Sequence, residues 1–283
     1  MIDSKLFTFG CSMARYQWPM WSDMLGKEFR FFENWAQPGA GNTFIFYSLI
    51  ECIKRNNISS KDTIVIMWTS VTREDRWISS RRWVTPGNIY NQNEYDKNFV
   101  KNWADPAGYL IRDLALISAA KTLLENIGCT WYFLSRGPIE EYESGVANID
   151  SALKNLYQAD LDSVRPNMLT VIFNGDWFSR PALIDINDIE RKYKIVKGID
   201  WPTWEKFKLN DFDGIKSNII SEIKETFKKD FVRKDMHPTP LESFLYLSKV
   251  LPELTISNAT VEWAENIYNN KIKFTTTLPK NRF

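Results

Sequence analysis

Ser12 follows an alternating run, Phe7-Thr8-Phe9, directly after Gly10 and Cys11, and the chain's only histidine, His237, lies more than two hundred residues downstream. A serine hydroxyl is a weak nucleophile until a base takes its proton and donors receive the charge developing on the attacked carbonyl oxygen. His237 is the one imidazole available as that base. Asp235, in Lys234-Asp235-Met236-His237-Pro238, is near enough in sequence to hold the imidazole in the right tautomer and stabilise its positive form. Cys11 is a second nucleophile-capable group in the same turn. Each residue also has an ordinary structural use: serine after glycine as a turn residue, a lone histidine as a packing group, an aspartate as a helix cap.

Composition narrows the partners. Lys plus Arg (36) nearly balances Asp plus Glu (35) for a net charge of +1, so no global field gathers phosphates or an acidic membrane, and neither nucleic acid nor membrane is expected as a partner. Cys11, Cys52 and Cys129 have no paired spacing, and one histidine makes no imidazole cluster, so neither zinc nor another cofactor is expected. The N-terminus reaches the Gly10 turn before any long apolar region, unlike a secretory signal, and no stretch has the roughly 20 apolar residues that span a bilayer. The expected location is cytoplasmic, or inside a particle assembled there. The chain is rich in aromatics, with 12 Trp, 11 Tyr and 18 Phe; core filling explains them more economically than sugar stacking.

The elements that must position these residues follow from hydrophobic periodicity. Leu6 to Phe9 is a first strand, Met20 to Leu25 a short helix after Pro19, and Phe29 to Asn34 a second strand emptying into the turn-rich Gln37-Pro38-Gly39-Ala40-Gly41. Thr43 to Arg55 has helical spacing with Asn42 placed to cap it, and Thr63 to Trp68 reads as a strand buried on both faces. Tyr109 to Asn126 returns to helix, closed by Gly128, and Thr130 to Leu134 is the next strand. Leu169 to Phe173 reads equally as a fifth strand or part of a cap. Phe212 to Lys229 carries one apolar helical face, and Thr239-Pro240-Leu241-Glu242 opens another helix with a capping box. This order predicts an α/β fold, a flavodoxin-like three-layer sandwich with a mostly parallel central sheet. It occupies residues 1–252, with insertions at about 78–108 and 174–213, followed by a helix and extended tail over 253–283.

At the residue level, Gly10-Cys11-Ser12 resembles the Gly-Asp-Ser block of the SGNH (GDSL-like) hydrolase superfamily. Asn34 through Gly39 resembles its glycine block, Ile64 to Ser70 occupies the place of its third block, and Asp235-Met236-His237-Pro238 resembles its last. The resemblance implies Ser12 as nucleophile with His237 and Asp235, and an oxyanion site built from the Ser12 backbone N–H, a Gly39 N–H and an Asn side chain. Three departures stand out. Cys11 replaces the family's Asp, Trp68-Thr69-Ser70-Val71 replaces Gly-x-Asn-Asp, and Asp235 stands two rather than three residues before the histidine. Ser70 aligns with the missing Asn, while Asn42 in the neighbouring loop is an alternative donor or simply a cap. Losing one such donor costs roughly 3 kcal/mol, about a hundredfold in rate. Arg73 is a candidate for a substrate carboxylate or a developing negative charge, with Trp68 beside it, and Arg136 is weighed with the other loop arginines.

The expectation is a serine esterase acting on a small-molecule or glycan acyl ester, such as an O-acetyl group on a carbohydrate. An O-acyltransferase is the near variant. A catalytically weak or inactive carbohydrate-binding or structural assembly protein is the competing class.

Overall fold

A computed structural model describes residues 2–80, 82–90, 95–142, 145–173 and 237–280. The chain divides into two units, Met1–Gly175 with His237–Phe283, and Asp176–Met236, and all the described residues fall in the first. The expected 174–213 insertion, the helix over Phe212 to Lys229 and Asp235 lie outside the described residues.

Four parallel strands form the centre: β1 (Ile2–Phe9), β2 (Phe29–Asn34), β3 (Thr63–Trp68) and β6 (Thr130–Ser135), in the order β2-β1-β3-β6. Between β3 and β6 the chain forms a small antiparallel hairpin, β4 (Arg76–Ile78) with β5 (Arg82–Val84). Every residue of β3 is buried, as its unbroken apolar run requires of a strand covered on both faces. On one side α2 (Asn42–Asn56) packs with α4 (Pro106–Ile127). On the other, α1 (Trp21–Glu28) packs with helices from the end of the chain, Pro240–Val250 and Asn258–Asn269. This is the expected α/β, flavodoxin-like three-layer arrangement. Registry pairs Thr8 with Asn34, Phe9 with Ile66 and Trp68 with Ser135, so β3 and β6 run two residues beyond the end of β1. β1 sends the chain outward to β2 on one side and borders β3 on the other. That reversal of strand order opens a crevice beyond the carboxyl ends of β1 and β3.

Local signals account for most boundaries. Asp105 accepts from Ala107 N–H (3.0 Å) to start α4 with Pro106 at its first position, and Gly128, at φ 74°, closes it in the left-handed region. Leu169 to Phe173, left open between a strand and part of a cap, falls within a helix, Met168–Phe173. Among the described residues, the outer edge of β6 is met by the Val164 bridge to Phe133, with Arg165 N–H donating to the Phe133 carbonyl (2.8 Å). Pro166 follows at once, lacks an N–H and ends the pairing. Within the region from about 78, Trp83 of β5 faces Trp77 and packs edge-on against Phe44 of α2 (5.5 Å).

Beside β2 runs the C-terminal tail. Asn34 N–H donates to the Thr277 carbonyl (2.8 Å), and the buried Thr276 hydroxyl donates to Asp23. Burial pushes the Asp23 carboxyl up to about 6, against the Thr276 and Met20 donors and the Arg15 charge that favour ionisation. Because the folded pKa lies above the unfolded one, this group favours folding most below about pH 3.8 and loses that contribution as pH rises through about 6. Wild type should therefore lose about 2 kcal/mol relative to Asp23→Asn between pH 4 and pH 7, read from urea unfolding. Parallel pH curves for the two proteins would remove Asp23 as the cause. Among the described residues no helix is long and apolar enough to cross a membrane.

Candidate active site

The turn after β1 sorts its two nucleophile-capable groups. Gly10 leaves no room for a side chain, since a Cβ there would meet the Ala14 Cβ at 2.9 Å, and Ala14 N–H closes the turn onto the Cys11 carbonyl (3.0 Å). Within it Cys11 is wholly buried, whereas Ser12 is partly exposed. Burial pushes the Cys11 thiol up, but the Arg73 and Arg136 charges together with hydrogen bonds from Met13 and Thr69 leave it below its ordinary value. Of the two groups, only Ser12 is reached by solvent.

The end of β2 is stitched to this turn. Asn34 Nδ2 donates to the Ala14 carbonyl (2.8 Å), the Ser22 hydroxyl (3.1 Å) and the Thr276 hydroxyl (3.2 Å), while its Oδ1 accepts from Ala36 N–H (3.0 Å). Gln37 N–H donates to the Gly10 carbonyl (3.1 Å), bringing the glycine block beside Ser12. Gly39 then adopts φ 78°, and a Cβ on it would lie 2.0 Å from the Thr85 carbonyl oxygen. Only glycine fits that left-handed, closed position.

Asn42 lies deeper than an oxyanion donor must. Its Nδ2 gives both hydrogens away, to the Thr69 carbonyl (3.1 Å) and Asp113 Oδ2 (2.8 Å), and its Oδ1 accepts from Thr69 N–H (2.9 Å). It therefore pins the loop after β3 to α4. Nor does it cap α2: the buried Asp75 carboxylate accepts from Gly41 N–H (2.9 and 3.0 Å) and Phe44 N–H (2.9 Å). Asp75 thus reaches back from the loop beyond β3 to satisfy the donors at the start of α2. Burial raises the Asp75 and Asp113 carboxyls to about 6, despite these donors and the neighbouring arginines.

The other candidate residues at the end of β3 and in the loop after it take distinct positions. Trp68 is fully buried and meets Phe133 edge-on at 5.4 Å, so it belongs to the core rather than the substrate surface. Arg73 is only 8% exposed and donates through Nη1 to the Ala40 carbonyl (2.9 Å), which makes it a brace for the Gly39–Gly41 segment. Arg112 supports the same loop from α4, donating to the Arg73 carbonyl (3.0 Å) and Asp113 (2.7 Å). Ser70 is partly exposed, and Arg136, immediately after β6, donates through Nη1 to its Oγ (3.2 Å). Sequence reasoning leaves Arg136 undistinguished because its significance depends on β6 lying next to β3.

His237 joins the same corner from the far end of the chain. Thr239 accepts from Glu242 N–H (3.2 Å) and Glu242 accepts from Thr239 N–H (2.7 Å), so the predicted capping box fixes the start of the following helix. Trp18 Nε1 donates to the Pro238 carbonyl (2.9 Å), and the His237 ring lies flat on Tyr16 with centroids 3.7 Å apart and planes 15° from parallel. Tyr16 belongs to the loop that carries Ser12. Stacking fixes the plane of the imidazole while both nitrogens remain on its edge, the orientation from which they make hydrogen bonds.

Among the described residues, Gln37 ties the Gly39 segment to Gly10, Arg136 holds Ser70, and His237 rests on Tyr16 of the loop that carries Ser12, while Asn42 and Trp68 lie in the interior. No protein-family model and no curated protein sequence matches the chain.

Proposed function

We propose that the chain is an SGNH-like serine esterase acting on a small-molecule or glycan acyl ester, with O-acetylated carbohydrate as the leading substrate class. The observation carrying this reading is the stacking of the sole histidine on Tyr16, in the loop that exposes Ser12. In the proposed cycle His237 accepts the Ser12 Oγ proton as the oxygen attacks the ester carbonyl carbon. Charge developing on the carbonyl oxygen is received by the Ser12 and Gly39 backbone N–H groups. The C–O bond to the alcohol breaks, His237 returns the proton to the leaving alkoxide, and water then releases the acyl group as its acid. With a sugar hydroxyl in place of water, the same cycle is acyl transfer.

A fluorophosphonate probe followed by peptide mapping tests the nucleophile, and a panel of acetyl and short acyl esters tests the reaction. Wild type should be labelled at Ser12 and hydrolyse at least one ester, and Ser12→Ala should lose both properties. Labelling at Cys11, or neither labelling nor hydrolysis by wild type, would overturn the reading. The alternative, a hydrolase-like fold retained for carbohydrate binding or assembly, is favoured by one feature: both Asn42 amide hydrogens are committed inside the protein. An inert wild type that still binds glycans would support it.

A further inference from the structure

Where the family resemblance calls for an amide donor after β3, this chain has Ser70, whose shorter side chain both donates and accepts. An undirected hydroxyl is a poor oxyanion donor, because its proton can turn toward any nearby acceptor. Arg136 removes that freedom. Its Nη1 donates to Ser70 Oγ at 3.2 Å, so the oxygen serves as acceptor on the arginine side and its own proton points elsewhere. A hydroxyl that accepts from a cation is also a stronger donor, since hydrogen bonds in a chain polarise one another.

The backbone beneath this side chain is anchored as well: the Arg136 main-chain N–H donates to the Trp68 carbonyl (2.9 Å), tying the end of β6 to the end of β3. The guanidinium charge also acts on the buried Cys11 thiol, the residue immediately before Ser12. One side chain therefore spans the loops that the proposed chemistry needs aligned.

We propose that Arg136 is a positioning residue that acts through Ser70, turning the Ser70 hydroxyl into a charge-assisted donor to the oxyanion formed at Ser12. This rests on the esterase reading and supplies the donor that the altered third block lacks. Ser70 is the group that meets the substrate oxygen, and Arg136 does not touch it. Charge builds on that oxygen only as the tetrahedral species forms, so the pair acts on kcat rather than on substrate binding.

A double-mutant cycle on p-nitrophenyl acetate hydrolysis tests the coupling. Ser70→Ala should lower kcat by about a hundredfold with KM within about twofold. Arg136→Met should lower kcat by roughly tenfold, the double variant should be no slower than Ser70→Ala alone, and Ser70→Thr should retain most of the wild-type rate. A purely structural Arg136 would instead multiply its loss onto that of Ser70→Ala. If Arg136→Met fails to fold, Arg136→Lys carries the same test, because it keeps the charge without the planar donor and its loss should vanish in the Ser70→Ala background. An Arg136 variant as fast as wild type, or losses that multiply, overturns the proposal while leaving the esterase standing. An inert wild type overturns the esterase reading itself, and this coupling with it.

Discussion

Replacing His237 by alanine is expected to lower ester hydrolysis by about 10² to 10⁴-fold, the range that a positioned general base contributes. Alanine alone does not isolate that role, because His237 also stacks on Tyr16 at 3.7 Å. Aromatic pairing of this kind is worth about 0.5–1.5 kcal/mol beyond burial, so part of any loss could come from a loosened Ser12 loop. His237→Phe separates the two contributions, since it keeps a flat ring on Tyr16 and removes both nitrogens. On the proposed reading, phenylalanine holds thermal stability close to wild type and loses as much activity as alanine. A His237→Phe protein that keeps its rate would make the histidine a packing group, and the base would have to be sought elsewhere.

The largest stability effect is expected at Asp75. Its carboxylate receives the Gly41 and Phe44 N–H groups at the start of α2 and interacts with Arg73 and Arg112 in the same buried region. Alanine would strand those two buried donors and remove a negative charge that Arg73 and Arg112 favour. Unsatisfied buried donors cost about 1–3 kcal/mol each. Asp75→Ala should accordingly lower stability by about 4 kcal/mol in urea unfolding, with Asp75→Asn in between because its amide oxygen still accepts. Less than 1 kcal/mol for alanine would mean that water replaces the carboxylate at the helix start. Ester hydrolysis should fall as well, since Gly41 follows the segment that sets Gly39.

The contrast between Asp75 and Asn42 indicates how far the sequence could be read. Asn42 stands where a local cap belongs, and every short-range rule favours it, yet the acceptor for α2 arrives from a loop beyond β3. The helix start closed from within the chain's next few residues was legible at the Thr239–Glu242 box, whereas the cap at Asp105 was passed over and its helix was expected to begin at Tyr109. The buried run of β3 and the Gly128 stop were legible for the same reason: their signals are contained in the elements themselves. Leu169 to Phe173 was ambiguous because a short apolar run fits a buried helix as well as a strand, and only the Pro166 interruption beside β6 decides it. At the candidate site, the Ser12 turn and the Gly39 position follow from local residue types. Arg136, the interior roles of Arg73 and Trp68, and the seat of His237 on Tyr16 depend on strand order and on contacts across the whole chain.

The seam between β2 and the tail bears on how the protein is made. Asn34 and Thr276 are 242 positions apart, and Asp23 and Thr276 are 253 apart, yet Asn34 also holds the Ala14 carbonyl at the base of the Ser12 turn. Contacts this distant form late, because the entropy of closing so long a loop must be overcome before they contribute. During synthesis the amino-terminal strands can assemble before the segment around Thr276 emerges, but the footing of the Ser12 turn stays open until that segment arrives. Maturation of the site is thereby tied to the docking of this segment rather than to formation of the sheet.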